Sequence, residues 1–438
     1  MTGPPRPPAA PAQRYAVGLR VLSALLAGRV LYRLIHLATT VLLLPAWGAD
    51  RYGRYAAAMA TFSWLIAVVF TGPEKTVLKL VPRASRTGPA VVRALLAVLW
   101  WLPLPVAAGF GLALLAGAGG NLPLYLGVAA MLLASGCTLL LIGLHRSAGR
   151  LRSDSTSFLV MSAGQLVLFG LAVADRLEPA GYVAAVTGMQ VAINLALTVT
   201  LDRPSLAILR RRRFLRRLAW TALLLAGTDL FLYLASAVLF GVLAGSAHAG
   251  QLGRLYALSV VWTAGVTMLL YVLRVYAPRT SLRLAGRAGA AGRDRAARLA
   301  TVVAAGNAIW LAGAGTVVWL GGLAAVSAAT GQVLVWAGLL ATRAPAVALL
   351  LWASYLLENT DATAPRVVGQ AAVAGLAGAV AVGVPAVSAL GGVGVILALA
   401  VGDLSYAAVV AVRGRRRVTG RPGPARPDRP EAPVVATG

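Results

Sequence analysis

LLAGRVLYRLIHLATTVLLL, residues 25–44, decides the architecture. It is long and apolar enough to cross a bilayer as a single helix, which needs about 20 such residues. Yet it carries Arg29, Arg33 and His36, spaced i, i+4 and i+7 and extended by Thr40. On a helix these side chains share one stripe. A charge at bilayer depth costs ~3 kcal/mol or more. The stripe is therefore expected to face a bundle interior or a water-filled cavity, which makes Arg29, Arg33 and His36 candidates for substrate binding. The competing expectation is packing alone, with the arginines held by acidic neighbours.

The rest of the chain agrees with a membrane setting. Of its 438 residues, 59% are hydrophobic and 12% are charged, against about 25% charged in an ordinary soluble domain. The net charge of +27 would suggest nucleic acid in a soluble protein. Here the basic residues lie in short loops between apolar runs, the distribution that sets membrane orientation, and no nucleic-acid partner is expected. Cys137 is the one cysteine and lies in an apolar run, so neither a disulfide nor a cysteine metal site is expected. His36, His145 and His248 are far apart in topology, and no metal is expected. There is no phosphate-binding glycine loop, no His-Glu-x-x-His and no soluble domain. An enzyme is not expected, nor a cofactor. Lys75 and Lys79 are the only lysines; with the abundance of Ala, Gly, Pro and Arg, this composition fits a GC-rich bacterial genome.

Apolar segments place about twelve helices: 17–45, 55–72, 91–117, 124–144, 157–174, 181–201, 218–243, 255–276, 299–323, 333–357, 367–387 and 393–412. Residues 48–54 read as a polar turn, Pro103 and Pro105 as kinks in the third span. The expected organisation is a disordered tail (1–16), a six-helix half (17–202), a basic linker (203–217), a second six-helix half (218–412) and a disordered Arg/Pro-rich tail (413–438). Arginine and lysine crowd the termini and alternate loops, while the other side has only Arg51, Arg54, Arg176 and Arg254. That asymmetry puts both termini in the cytoplasm of a bacterial plasma membrane and brings the basic loops against anionic lipid.

The halves resemble each other. Leu25-Leu-Ala-Gly28 recurs as Leu224-Leu-Ala-Gly227, Leu31-Tyr32 as Leu232-Tyr233, and the turn beginning at Gly53-Arg as that beginning at Gly253-Arg. The offsets, Gly28 to Gly227, Leu31 to Leu232 and Gly53 to Gly253, are 199, 201 and 200 residues. Two six-helix halves in parallel make a transporter architecture with its site between them near the midplane. Beside the repeated glycine the first half has Arg29 and the second has Thr228-Asp229, which puts Asp229 at about the depth of Arg29. Asp229, Tyr233 and Ser236 fall on one helix face. Arg29 and Arg33 are expected to face Asp229 across a cleft, as a gate or as a static strut.

Several other residues invite a role. Arg343, beside Pro345 in the tenth span, is a further cavity candidate. Asp403 in the twelfth suits an ion-coupling carboxylate or a helix partner. Lys75 and Lys79, at i and i+4, suit a headgroup or an anionic membrane lipid. Glu358 and Asp361 read as interfacial, and Gln165, Gln190, Asn194 and Asn307 as interhelical hydrogen bonds.

Three motifs carry a resemblance: Gly-Ala-Asp-Arg-Tyr-Gly-Arg-Tyr-Ala-Ala (48–57), Gly-Pro-Glu-Lys-Thr-x-Leu (72–78) and Leu-His-Arg-Ser-Ala-Gly-Arg (144–150). Over about residues 17–412 the chain resembles the multidrug/oligosaccharidyl-lipid/polysaccharide (MOP) flippase superfamily, in its O-antigen and teichoic-acid flippase-like branch. The resemblance implies an all-α, MATE-like fold. It also implies alternating access that moves an anionic diphosphate lipid-linked saccharide to the outer leaflet, with first-span arginines at the site. Arginine's planar fork suits phosphate oxygens. A coupling ion, proton or sodium, would act at Asp229 or Asp403. A multidrug or small-metabolite antiporter of the same superfamily, and a non-transporting scaffold of a cell-wall or secondary-metabolite assembly, stay open as alternatives.

Overall fold

The computed structural model describes residues 19–83, 88–101, 121–147, 150–201, 211–284, 288–320, 329–360 and 364–416, with a few more between 106 and 112. Among these there is no strand. Ten helical segments are long and apolar enough to cross a membrane. The first of them, Ala27–Leu80, breaks at Gly48 and passes twice. Span one is residues 19–47 and span two 49–83. Gly88–Trp101 begins span three. Spans four to twelve are Leu122–Ser147, Leu151–Val173, Pro179–Val199, Arg212–Ala244, Leu252–Arg283, Ala288–Trp319, Ala329–Glu358, Ala364–Leu390 and Gly392–Arg416. The described helices follow the order of the twelve expected spans, the third of them beyond Trp101 lying largely outside the described residues. Both expected tails, residues 203–210 of the linker, Pro103, Pro105 and Asp361 lie outside the described residues, apart from Arg413–Arg416.

Three boundaries differ from expectation, each for a physical reason. The polar turn 48–54 contracts to Gly48, whose φ of 75° and ψ of 169° suit glycine alone. The helix resumes at once, with Asp50 in its first turn to complement the exposed N–H groups. Much of what reads as basic loop is helix: Arg212–Arg217, Arg279, Arg283, Arg293, Arg295, Arg298 and Arg413 all lie on helices. Hydropathy marks where lipid ends, and Arg and Ala are strong helix formers that carry the helix beyond it. Span two is also interrupted: Ser63 is a turn and Ala67–Thr71 is a π-helical stretch, a feature frequent at functional sites.

The repeated glycines sit on equivalent packing contacts. A methyl built on Gly28 would point at Ser155 of span five, 3.5 Å from its Cα. One built on Gly227 would point at Val368 and Gly369 of span eleven, 3.4 and 3.5 Å away. Three apolar cores follow. One is built from spans two to seven (Phe70, Leu96, Leu140, Phe158) and one from the second half alone (Phe231, Leu350, Val368, Tyr406). The third joins both halves through Leu43, Tyr52, Tyr182, Leu243, Leu252 and Ile396. These residues lie at span ends away from the arginine-rich side, so the halves are sealed by apolar contact at that end.

Candidate functional site

Between the halves lies a cavity of about 240 Å³. Span one contributes Tyr32, Arg33 and His36, span seven Asp229, Tyr233 and Ser236, span eight Trp262 and Thr263, and span ten Arg343. Spans four and six add Met131, Ser135, Tyr182 and Gln190. A second cavity of about 170 Å³ shares Arg33, His36, Tyr233 and Ser236 with it. This one continues between spans one and eight, past Leu37, Val260 and Ala264.

The stripe on span one divides. Its helix turns Arg29 away from the cavity, toward span five. There Arg29 Nε lies 3.8 Å from Asp154 Oδ1, with side-chain exposures of 10% and 0%. Its guanidinium carbon stands 4.7 Å from the centre of the Phe158 ring. The expected pairing of Arg29 with Asp229 is therefore replaced by an intra-half pair. Spans one and five run parallel and Asp154 is level with Arg29, so the local partner wins over the one across the cleft. One turn further, Tyr32 packs on Phe158 at 5.5 Å between ring centres. Another turn on, Gln165 Nε2 donates to His36 Nδ1 at 2.7 Å. The receiving nitrogen carries no proton, so the ring's proton is on Nε2. Thr40 and Thr39 donate to the His36 carbonyl at 2.7 and 3.0 Å.

Arg33 is the arginine of the stripe that lines both cavities. Among the described residues no carboxylate pairs with it. Arg343 also lines the main cavity, but its Nε donates to Asp403 Oδ2 at 3.0 Å and its Nη2 reaches the same oxygen. Arg343 is 3% exposed and Asp403 is fully buried.

Lys75 and Lys79 face the protein interior, not headgroups. Lys75 Nζ is 2.8 Å from Asp229 Oδ2 and 2.9 Å from Glu358 Oε1, and it donates to the Leu225 carbonyl at 3.1 Å. Lys79 Nζ donates to the Glu358 carbonyl. Thr228 donates to Glu358 Oε1 at 3.3 Å, shares a 2.7 Å hydrogen bond with the Tyr406 hydroxyl, and Ser354 donates to that hydroxyl at 3.1 Å. The reason is position along the helix: the π-helical stretch precedes Lys75, and the two lysines follow it on one face against spans seven and ten. Asp229 is thus gripped from the side by Lys75, and neither Arg29 nor Arg33 takes it. Glu358 and Asp154 were not legible as partners. Asp154, Phe158 and Gln165, at i, i+4 and i+11, do share a face of span five, and that polar stripe in an apolar helix was the available signal. Gln190 accepts from Thr138 at 2.6 Å and Asn194 donates to the Ala134 carbonyl at 3.0 Å. Asn307 makes no such bond among the described residues.

The cavity therefore has two differently built ends. On the arginine-rich side it is bordered by the ion cluster linking spans two, seven and ten, which meets it at Asp229. On the other side it is bordered by rings: Trp47 lies 5.4 Å from Tyr55 and 5.5 Å from Tyr182, and Tyr256 lies 6.4 Å from Tyr52 and 6.2 Å from Phe240.

No family model matches the chain, and no curated protein does. Solved structures match it along most of its length. An inward-facing multidrug resistance MATE family transporter of the MOP superfamily is 16% identical, covering 88% of this chain and 94% of its own, with a TM-score of 0.57. The outward-facing conformation of such a transporter is 15% identical over 94% and 96%, with a TM-score of 0.58. A MOP superfamily transporter from Pyrococcus furiosus, described as having a binding pocket of reversed polarity, is 15% identical over 93% and 96%, with a TM-score of 0.58. At these identities the likeness establishes a MATE-like fold.

Proposed function

We propose that this protein is a flippase that moves an anionic lipid-linked saccharide across a bacterial plasma membrane by alternating access. The observation that carries the reading is Arg33. It is a guanidinium at mid-depth, on a cavity between two halves, with no carboxylate neutralising it among the described residues. A half-buried cation without a counter-charge is costly at bilayer depth, and an anion arriving from the membrane supplies one. Arginine's fork takes two phosphate oxygens at once. The second cavity, running from Arg33 between spans one and eight, suits a lipid chain that stays in the bilayer while its headgroup occupies the centre. Trp262, Tyr55 and Tyr182, with Ser135, Ser236 and Thr263, offer flat faces and hydroxyls to a sugar.

Alternating access needs two gates. The ion cluster of Lys75, Asp229 and Glu358 serves as the gate at the arginine-rich end, which faces the cytoplasm by the distribution of basic residues. The ring cluster serves as the other. Asp229 is assigned to gating; a coupling proton or sodium ion would exchange there as Lys75 withdraws. The arginine-rich helix ends lie against anionic headgroups.

A second reading is an ion-coupled exporter of amphiphilic small molecules. It is favoured by Met59, Met131 and Met189 on the cavity wall, since methionine adapts to varied ligands, and by the multidrug transporters that share the fold.

The test is reconstitution of the purified protein in vesicles holding a fluorescent short-chain lipid-linked sugar, with outer-leaflet label bleached by an impermeant reductant. The protein is expected to expose inner-leaflet label faster than empty vesicles do, and Arg33→Gln to remove most of that gain. Equal rates with and without protein, or full activity in Arg33→Gln, would end this reading.

A further inference from the structure

Among the described residues, the charges that line the cavities leave a remainder of one cation. The inference rests on the flippase reading and narrows it. Lys75 meets the carboxylates of Asp229 and Glu358, and Lys79 donates to the Glu358 backbone carbonyl, so this cluster holds two cations and two carboxylates. Arg343 meets Asp403. His36 accepts from Gln165 at Nδ1 and is thereby neutral, with one N–H on Nε2. Arg33 alone is left over among the described lining residues.

We infer that the site takes an amphiphile whose headgroup carries one negative charge, that of a phosphodiester, rather than the two of a diphosphate diester. A phosphodiester has two non-bridging oxygens that share its charge. Arg33 can hold both by its fork, or leave one to the Nε2–H of His36, three residues along the same helix. Gln165 is the positioning residue, since its hydrogen bond occupies Nδ1 of the ring.

A second phosphate would need a second cation, and neither neighbour is available at low cost. Releasing Arg343 would strand Asp403 as a charge with no exposure in the core, and separating one partner of a buried pair is strongly unfavourable. Releasing Lys75 would strip two carboxylates at once and open the gate cluster while substrate is still being bound.

The experiment uses the full-length protein in lipid nanodiscs and three probes: farnesyl phosphoglucose, with one charge; farnesyl diphosphoglucose, with two; and glucose 1-phosphate, which lacks the chain. Farnesyl phosphoglucose is expected to bind at least as tightly as the diphosphate, and glucose 1-phosphate far more weakly than either. Arg33→Gln is expected to weaken farnesyl phosphoglucose by about tenfold or more, the loss of a charge-assisted hydrogen bond. Ser236→Lys, which adds a second cation beside both cavities, is expected to turn the preference toward the diphosphate. Diphosphate binding about tenfold tighter to the unaltered protein would overturn the single-charge inference and leave the anionic flippase standing. Binding of both lipids unchanged by Arg33→Gln would overturn both. Glucose 1-phosphate binding as well as its lipid form would overturn the amphiphile in favour of a free anion. Should Arg33→Gln not fold, Gln165→Leu and the Ser236→Lys reversal carry the decision.

Discussion

Lys75 Nζ lies 2.8 Å from Asp229 Oδ2, and this contact ties span two of the first half to span seven of the second at the arginine-rich end of the cavity. Glu358 of span ten holds the same ammonium at 2.9 Å. Three helices therefore meet on one cation. With the π-helical stretch Ala67–Thr71 just before it, span two has both a tether and a place to flex.

Opening that tether should open the cavity. In a Cys137→Ala background, a cysteine at Ser135, on the cavity wall, is expected to react slowly with an impermeant thiol reagent applied from the arginine-rich side. Lys75→Met should raise that rate several-fold. An unchanged rate in a variant that keeps its fold would show that the cluster is a strut.

Arg29 is predicted to act on stability and not on transport. Arg29→Met takes the cation from beside Asp154, which has no side-chain exposure, and should cost about 1–3 kcal/mol in unfolding free energy. The double variant Arg29→Met with Asp154→Leu should regain most of this, because an apolar pair of similar size is often neutral or better. Flipping by the double variant should stay near that of the unaltered protein, in contrast to Arg33→Gln. Loss of transport with full stability would return Arg29 to the site.

Arg343 and Asp403 should behave in the same way but more strongly, since the pair is 3% and 0% exposed at the side chains. Arg343→Met alone is expected to cost about 3–5 kcal/mol, read as a drop in thermal midpoint in detergent. Arg343→Met with Asp403→Leu should be far more stable than the single variant. Equal destabilisation in both would show that the ion pair itself, and not a stranded carboxylate, decides the effect.

Gly48→Ala and Gly53→Ala separate backbone conformation from space, because neither glycine has an atom within 4 Å of a built Cβ. At Gly48, with φ of 75°, the substitution should cost about 1–3 kcal/mol through backbone strain. At Gly53, inside a helix, it should gain up to about 1 kcal/mol. Chemical or thermal unfolding of the two variants checks the sign directly.

The sequence by itself determined the membrane class, the all-helical fold, the near-constant offset between halves and the presence of charge in span one. Each follows from hydropathy or from helix periodicity, which are local along the chain. It also indicated that Gln190 and Asn194 serve interhelical hydrogen bonds. It misjudged where helices end, because Arg212–Arg217, Arg279–Arg283 and Arg293–Arg298 are no longer apolar yet are still helical.

What only the tertiary structure decided is who meets whom. Arg29 and Arg33 are one turn apart and chemically the same, yet one is held by Asp154 of span five and the other faces a cavity. Lys75 has the pattern of a headgroup anchor, yet it joins Asp229 and Glu358, 154 and 283 positions away in the chain. The periodicity of a helix assigns residues to a face, but the azimuth of that face toward one neighbour or another depends on how all the helices pack. An ion pair needs its partners within about 4 Å, and that distance is fixed by the assembled bundle.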